Sequence, residues 1–586
     1  MPVVLVSLVS MASVAAVDVS NNSNPLRNSL WVAIVLAIIL LCTRAVELGD
    51  TQVYAKDIVN HLGKWPFGPA NSLWESGHLL WRPLGWVLLS LAAPLLSVVT
   101  DWTPFMQATF VLIAVSVPCA LITVVLWHRM ITRVGVSKSV AFMVTIAMAC
   151  SHGFLLRAPS GSAYLPGLLC LTGSLCFLGT GRIIGGAVLY AVSALLWLPF
   201  ILVGPALLLL AACPSWKWDT PVREILAKVD WARAIRFIAV SAGIVLLMYG
   251  LALCARRTSS VREAKDWYAS GSHGYSTNLN VVRIATGLPR SFLYLGKDGI
   301  FYKRYLLHDP YSPVTLWDIV HASLWKIAAF DLFVACLLYE LLRQPRSGWL
   351  LVLSTAGVAP VVLFAVTMLE TGSPERYLPA LPFVVVATAW VLRDFPATHR
   401  VSQVAIAAFL LCVVLTNIYS FAAPRVAAAN SESLARVADL RSRLSSVSSV
   451  MLATNQDNLE GTLNRLAFDK ISTPTPIRLY DLIEPGNTRV LTWRQDFAAR
   501  TLKVWGSGGD VWVSKRVWSP RPVPAWNWVE GDDRRVSWKE LPQLFSTLNT
   551  DAESGGPDGF LRLARDPTNL ALLTPLAAGV EVPNSK

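Results

Sequence analysis

The chain has 586 residues, 50 Lys and Arg against 37 Asp and Glu, and a formal net charge of +13; 54% of it is hydrophobic and 15% is charged. Soluble domains carry about 25% charged residues, and here the deficit is concentrated in long apolar runs. Composition therefore excludes a disordered chain and an ordinary soluble protein, and makes the bilayer the solvent for most of the sequence. Nine cysteines, at 42, 119, 150, 170, 176, 213, 254, 336 and 412, lie in or beside those runs. They form no CxxC pair, disulfide framework or thiolate metal site and read as small hydrophobes.

Residues 1–28 read as an N-terminal leader in which 1–17 is apolar without a basic n-region and 21–28 is a polar, proline-containing break. Residues 29–421 read as an all-α polytopic membrane domain. Its first span is 30–46, and further apolar segments follow at 83–99, 105–127, 139–156, 164–181, 183–212, 236–254, 322–342, 348–369, 377–392 and 401–421. A span needs about 20 apolar residues, so 183–212 is too long for one, and Pro199 and Pro205 divide it into two helices meeting at a kink.

The short basic loops at 128–138, 217–236, 343–346 and 393–400 place those ends in the cytoplasm. If both 83–99 and 105–127 crossed the membrane, the loop at 128–138 would fall outside. The simplest repair is that 78–99 is a re-entrant or juxtamembrane helix packed on protein. That leaves about eleven transmembrane helices plus juxtamembrane helices. The outer loops are then 47–82, 157–163, 255–320 and 370–376, with everything after 421 on the same face.

After 421 the composition changes. Residues 450–454, 488–493 and 510–518 read as short strands, 432–447 as an amphipathic helix and 506–509 as a turn, so 422–586 is expected to be a small extracytoplasmic α/β domain. Its tryptophans, Trp505, Trp512, Trp518, Trp526, Trp528 and Trp538, suit sugar stacking, core packing or docking on the membrane alike.

Three stretches on the outer face carry candidate chemistry. The first outer loop opens with Gly49-Asp50 and places Asp50, Tyr54 and Asp57 at i, i+4 and i+7, on one face of a helix. A carboxylate there can act as general base on an acceptor hydroxyl, or simply cap a helix. His78 and Arg82 stand one turn apart at the head of the segment argued not to span. An ionisable pair at membrane depth points to function, whereas a lone His is more often a hydrogen-bonded structural residue. The third stretch, Glu375-Arg376-Tyr377, lies at the outer mouth of a late helix. Arg376 can grip a phosphate bidentately, or snorkel while paired with Glu375.

Together the Gly49-Asp50 opening, the run His78-Leu79-Leu80-Trp81-Arg82-Pro83-Leu84 and Glu375-Arg376-Tyr377-Leu378-Pro379 resemble the GT-C superfamily of polytopic glycosyltransferases. The likeness is to the type that uses polyprenyl-phosphate-linked sugars, such as the protein O-mannosyltransferases and aminoarabinose transferases. The resemblance implies that Asp50 is the catalytic base, that Arg376 lies near the lipid-linked phosphate, and that His78 and Arg82 line the same cavity. The chain departs from the pattern in its second outer loop. Relatives often place an acidic residue shortly before a Tyr there, and this sequence runs from Arg157 to Tyr164 with no acid between. The missing acid puts the acceptor class, and activity itself, in question; Arg157 can neutralise a phosphate or anchor the interface. No Asp-x-Asp occurs, so neither a metal nor another cofactor is expected.

The loop 255–320 is basic and aromatic, with Arg256, Arg257, Arg262, Lys265 and Trp267 among its residues, which suits anionic headgroups, a pyrophosphate carrier or a solvated surface helix. The resulting expectation is a glycosyltransferase in a bacterial inner membrane that moves a sugar, with inversion, from a polyprenyl-phosphate carrier to an acceptor glycan, lipid or protein on the periplasmic face. Tyr54, Asp57, His78, Arg82, Arg157, Tyr164, Glu375, Arg376 and Tyr377 would bind substrate around Asp50. Nucleic acid is excluded as a partner because the charge lies outside the cytoplasm. The rival readings are a lipid-linked glycan flippase and a non-catalytic scaffold that binds a glycan lipid.

Overall fold

A computed structural model describes residues 25–43, 49–64, 66–68, 71–100, 102–133, 135–213, 221–270, 281–295, 302, 305–306, 314–344, 348–367, 373–395, 400–422, 450–454, 475–478, 493–515, 543–553 and 560–580. The chain divides into one compact unit of residues 1–95, 107–299 and 320–423 and a second of 96–106, 300–319 and 424–586.

The first unit is helical. Among the described residues six helices are long and apolar enough to cross a membrane: Trp81–Val99, Pro104–Arg133, Trp231–Ala255, Leu316–Arg343, Gly348–Thr367 and Val401–Phe421. Five shorter apolar helices accompany them: Ser29–Cys42, Lys138–Ala149, Tyr164–Gly179, Ile183–Leu196 and Leu198–Ala212. Length and composition thus place Trp81–Val99 with the spanning helices, and its expected juxtamembrane position rests on the charge of the loops alone.

Several boundaries differ from expectation for local reasons. The first helix starts at Pro25, inside the expected polar break, where proline's missing N–H is harmless; residues 1–24 lie outside the described residues. Pro104–Arg133 runs on through Arg129 and Arg133 and is followed by Gly135, at φ +86°. Ser137 then caps the next helix by accepting from the Val140 amide. The expected span 139–156 is two helices, Lys138–Ala149 and His152–Arg157. The long run breaks at Trp197, which is extended at φ −153° and ψ 112°. A 3-10 turn, Leu198–Val203, carries Pro199, and Pro205 enters the first turn of Gly204–Ala212.

Helices Tyr164–Gly179 and Ile183–Leu196 form a close hairpin. A Cβ on Gly186 would lie 2.7 Å from Leu178, and Ser174 Oγ donates to the Gly186 carbonyl at 2.7 Å, the small-residue packing that lipid-embedded helices favour. Elsewhere Phe292, Phe330, Phe333 and Phe409 stack into one aromatic core, with Phe333 and Phe409 centroids 4.4 Å apart. Buried Asn417 ties three segments together. Its Nδ2 donates to the carbonyls of Cys150 at 2.8 Å and Phe292 at 2.6 Å, while its Oδ1 accepts from the Tyr294 amide at 2.9 Å.

Among the described residues of the second unit a five-stranded sheet has the order β2-β1-β3-β5-β4. Strand β1 (Val450–Thr454) lies parallel to β2 (Thr475–Arg478) and β3 (Asp510–Ser514), and β5 (Phe560–Leu563) runs antiparallel to β3 and β4 (Thr550–Glu553). Helices Trp493–Gly506 and Pro567–Ala577 supply apolar residues to its core. Trp493 opens a helix and not the expected strand end, and the expected helix 432–447 and strand residues 488–492 lie outside the described residues. Trp505 and Trp512 are buried, which assigns both to packing; Trp518, Trp526, Trp528 and Trp538 lie outside the described residues.

Candidate functional site

Helix Gly49–Asn60 carries Asp50, Tyr54 and Asp57, and the structure sends its two carboxylates to different partners. Asp50 meets Arg157, whose Nη1 lies 3.4 Å from Asp50 Oδ2, and the Tyr164 hydroxyl donates to the same oxygen at 2.9 Å. Arg157 Nη2 pairs with Glu375 Oε2 at 2.9 Å, and its Cζ stands 4.8 Å from the Tyr164 ring centroid. One buried guanidinium therefore joins helix Gly49–Asn60 to the 374–380 segment.

Local structure explains how these side chains arrive. His152–Arg157 ends at Ala158 because Pro159 follows, and the turn is fixed by Ser160 Oγ, which donates to the Arg157 carbonyl at 2.8 Å. Trp81 Nε1 reaches the Gly161 carbonyl at 3.0 Å. A Cβ on Gly161 would come within 2.7 Å of both Leu112 Cβ and Thr51 Cγ2, so only glycine lets the residue next to Asp50 approach this turn. Glu375 is presented by a 3-10 turn, Pro374–Ala380, which Pro374 opens and whose Pro379 lacks the N–H that a regular helix would use.

Arg82 is the centre of a second ion group. Its Nη1 lies 2.7 Å from Asp57 Oδ2, its Nη2 lies 2.6 Å from Glu75 Oε2, and Nη1 also donates to the Ser72 carbonyl at 2.7 Å. Burial raises the Asp57 carboxyl above its usual range, against the pull of the Arg82 charge.

Aromatic rings bridge the two groups. Arg82 Cζ lies 5.2 Å from the Tyr54 ring, whose centroid is 5.4 Å from that of His78; His78 is 5.8 Å from Tyr164, and Tyr164 is 4.7 Å from Trp197. His78 Nδ1 is 3.1 Å from the Leu196 carbonyl, the structural hydrogen bond weighed as the alternative to a role in chemistry. Burial lowers the His78 pKa, outweighing the neighbouring Glu75 and Asp50 carboxylates, and for Tyr54 burial first and Asp50 second hold the phenol protonated.

Glu375 pairs with Arg157, not with Arg376 as a snorkelling pair would require. Burial pushes the Glu375 carboxyl up, and the Arg157 and Arg376 charges together bring it below its ordinary value. Arg376 is half-buried with its Cζ 5.9 Å from the Trp197 ring. Among the described residues it has no ion-pair partner, and its buried Nε has no hydrogen-bond acceptor. Tyr377 is buried and lines a cavity of about 320 Å³ together with Leu288, Phe292, Phe333, Leu341 and Leu381.

Sequence reasoning missed Glu75 and Trp197. Glu75 was legible in principle, since a buried Arg82 demands a carboxylate and Glu75 stands in the same loop. Trp197 becomes visible only once the break in the long apolar run turns it toward Tyr164 and Arg376. In the 255–320 loop, Arg256 turns inward. Its Nη1 donates to the Asn71 carbonyl at 2.5 Å and its Cζ lies 5.5 Å from the Trp267 ring, so it braces the segment around Asn71. Among the described residues no group of three or more His, Cys, Asp or Glu converges to hold a metal ion.

No protein-family model and no curated protein sequence matches the chain. Solved structures match in shape. The apo ArnT from Cupriavidus metallidurans superposes with a TM-score of 0.51 at 12% identity, covering 93% of this chain and 98% of that one. The fold is the one seen in that ArnT structure. ArnT from the same organism bound to undecaprenyl phosphate gives a TM-score of 0.49 at 10% identity over 92% of this chain and 98% of that one. The Archaeoglobus fulgidus oligosaccharyltransferase, tethered to an acceptor peptide, gives 0.44 at 12% identity over 92% and 74%. Within this fold, Asp50, Arg157, Tyr164, Glu375 and Arg376 fall in one neighbourhood, and Tyr54, Asp57, His78 and Arg82 in the adjoining one.

Proposed function

We propose that the protein is a membrane glycosyltransferase that moves a sugar from a polyprenyl-phosphate carrier to an acceptor on the periplasmic face of a bacterial inner membrane. The observation that carries this reading is Arg376, a half-buried cation with no ion-pair partner among the described residues, set at the end of the Asp50–Arg157–Glu375 chain. A phosphate oxygen is the natural partner for such a guanidinium. The neighbouring apolar cavity, about 320 Å³ and bordered by Tyr377, offers room for part of an isoprenoid tail.

In the proposed reaction the acceptor oxygen attacks the sugar's anomeric carbon as the bond from that carbon to the carrier phosphate oxygen breaks. The hydroxyl proton passes to Asp50, and the electron pair leaves with the lipid phosphate, whose growing charge faces Arg376. A single displacement inverts the anomeric carbon. One observation favours a second reading, a non-catalytic protein that binds a glycan lipid: the Asp50 carboxylate is already engaged by Arg157 and Tyr164.

Transfer from a panel of radiolabelled polyprenyl-phosphate sugars to membrane extract separates the two. Purified wild type is expected to transfer label, Asp50→Asn to lose about 10²-fold or more in rate while still binding the carrier, and Arg376→Ala to bind the carrier weakly. If Asp50→Asn matches wild type, or the panel yields only binding, the enzyme reading falls.

A further inference from the structure

Two carboxylates from distant parts of the chain, Asp50 and Glu375, converge on one point of the site, and that point is filled by the Arg157 guanidinium at 3.4 and 2.9 Å. The Tyr164 hydroxyl, which could serve as a further oxygen donor, is directed to the same Asp50 oxygen at 2.9 Å. Converging carboxylate and hydroxyl oxygens are what a hard divalent cation takes as ligands, at about 2.0–2.6 Å. Here each carboxylate faces a different nitrogen of a planar fork, and the positive charge is covalently part of the chain. Arg157 and Glu375 have side chains only 8% and 6% exposed, so the guanidinium is a fixed occupant and not a surface partner. The ordering Asp50⁻, Arg157⁺, Glu375⁻, Arg376⁺ alternates in sign.

Resting on the transferase reading above, we infer that Arg157 is the site's resident cation: a positioning residue that orients Asp50 and neutralises the acidic pair in the place a divalent metal would otherwise fill. Transfer by this protein therefore needs no added metal, and removing the guanidinium converts Asp50 and Glu375 into an acidic cation site.

The test uses the full-length chain in lipid nanodiscs, with transfer measured in EDTA and Mn²⁺ binding measured by electron paramagnetic resonance. Wild type is expected to keep its rate in EDTA and to bind no Mn²⁺ at this site. Arg157→Ala is expected to lose about 10²-fold in rate in EDTA, the scale of a misplaced catalytic group. It should recover on addition of guanidinium or Mn²⁺, and bind Mn²⁺ in a manner abolished by adding Glu375→Gln. Arg157→Lys, whose single ammonium cannot span both carboxylates, is expected to fall between wild type and Arg157→Ala in rate without a change in KM for the donor. The inference is overturned if EDTA silences wild type, if wild type binds Mn²⁺ through Asp50 or Glu375, or if folded Arg157→Ala keeps full activity in EDTA. It is equally overturned if that variant binds no Mn²⁺ and responds to neither cation. The wild-type arms hold even where Arg157→Ala does not fold. A wild type inert toward every donor sinks the transferase reading alone, since Mn²⁺ binding still decides the character of the site.

Discussion

Glu375→Gln and Asp50→Asn remove one charge each from opposite ends of the same guanidinium, and the structure ranks their effects on stability. Glu375 is 6% exposed and 2.9 Å from Arg157, whereas Asp50 is 32% exposed and 3.4 Å away. Removing one member of a buried pair costs about 3–5 kcal/mol, because the surviving charge is left desolvated and uncompensated. Arg157 keeps Asp50 and the new amide keeps a carbonyl acceptor, so Glu375→Gln is placed at the low end, about 3 kcal/mol. Asp50 is one-third exposed, solvent screens its attraction, and Asn can still accept from Tyr164, which limits Asp50→Asn to about 1 kcal/mol. Denaturant unfolding of the purified protein in detergent near neutral pH is expected to order the midpoints as wild type, Asp50→Asn, Glu375→Gln. The order of transfer rates should be different, with Asp50→Asn losing most. Because Glu375 titrates below its ordinary 4.5 in the folded protein, its contribution is complete above pH 4.5 and is lost as the pH falls through the lowered folded value. The gap between wild type and Glu375→Gln should therefore close on acidification below 4.5. Equal losses for the two variants, or the larger loss for Asp50→Asn, would refute burial as what sets the strength of the two contacts.

Other consequences can be measured with the same preparations. Gly161→Ala drives a methyl to 2.7 Å from Leu112 Cβ and Thr51 Cγ2, and is expected to cost about 1–3 kcal/mol and slow transfer by displacing Asp50; unchanged unfolding would show that the turn can yield. Asn417→Ala leaves the Cys150 and Phe292 carbonyls and the Tyr294 amide without their partner, at about 1–3 kcal/mol for each group not rescued by water, seen as a lowered unfolding midpoint. Burial holds the His78 pKa below 6.5, so as the pH drops beneath 6.5 the unfolded chain takes a proton that the folded site refuses, and stability falls. His78→Gln should flatten that slope, and an unaltered slope would place the titration elsewhere.

Much of the helical framework was legible because each apolar run of bilayer length must satisfy its backbone internally. The proline-marked break in 183–212 was legible for the same reason, although it falls at Trp197, ahead of Pro199. The face carrying Asp50, Tyr54 and Asp57 followed from helical period alone. Period could not say that Asp50 would meet Arg157 while Asp57 meets Arg82, since each partner arrives from another segment. The sheet was only partly legible: β1 and β3 show as apolar strands, while β2, β4 and β5 have four residues each and too little pattern to separate from loop.

Composition and local pattern thus determined that the chain is a membrane protein, where its helices run and which ionisable residues sit at their ends, because hydropathy and backbone satisfaction act over one helix at a time. Only the tertiary structure decided that Glu375 abandons its neighbour Arg376 for Arg157, and that Arg376 is left facing Trp197. Pairing in a low-dielectric interior goes to whichever opposite charge packing brings within hydrogen-bond reach, and that distance is set by contacts such as Gly161 against Thr51, between segments far apart in the sequence.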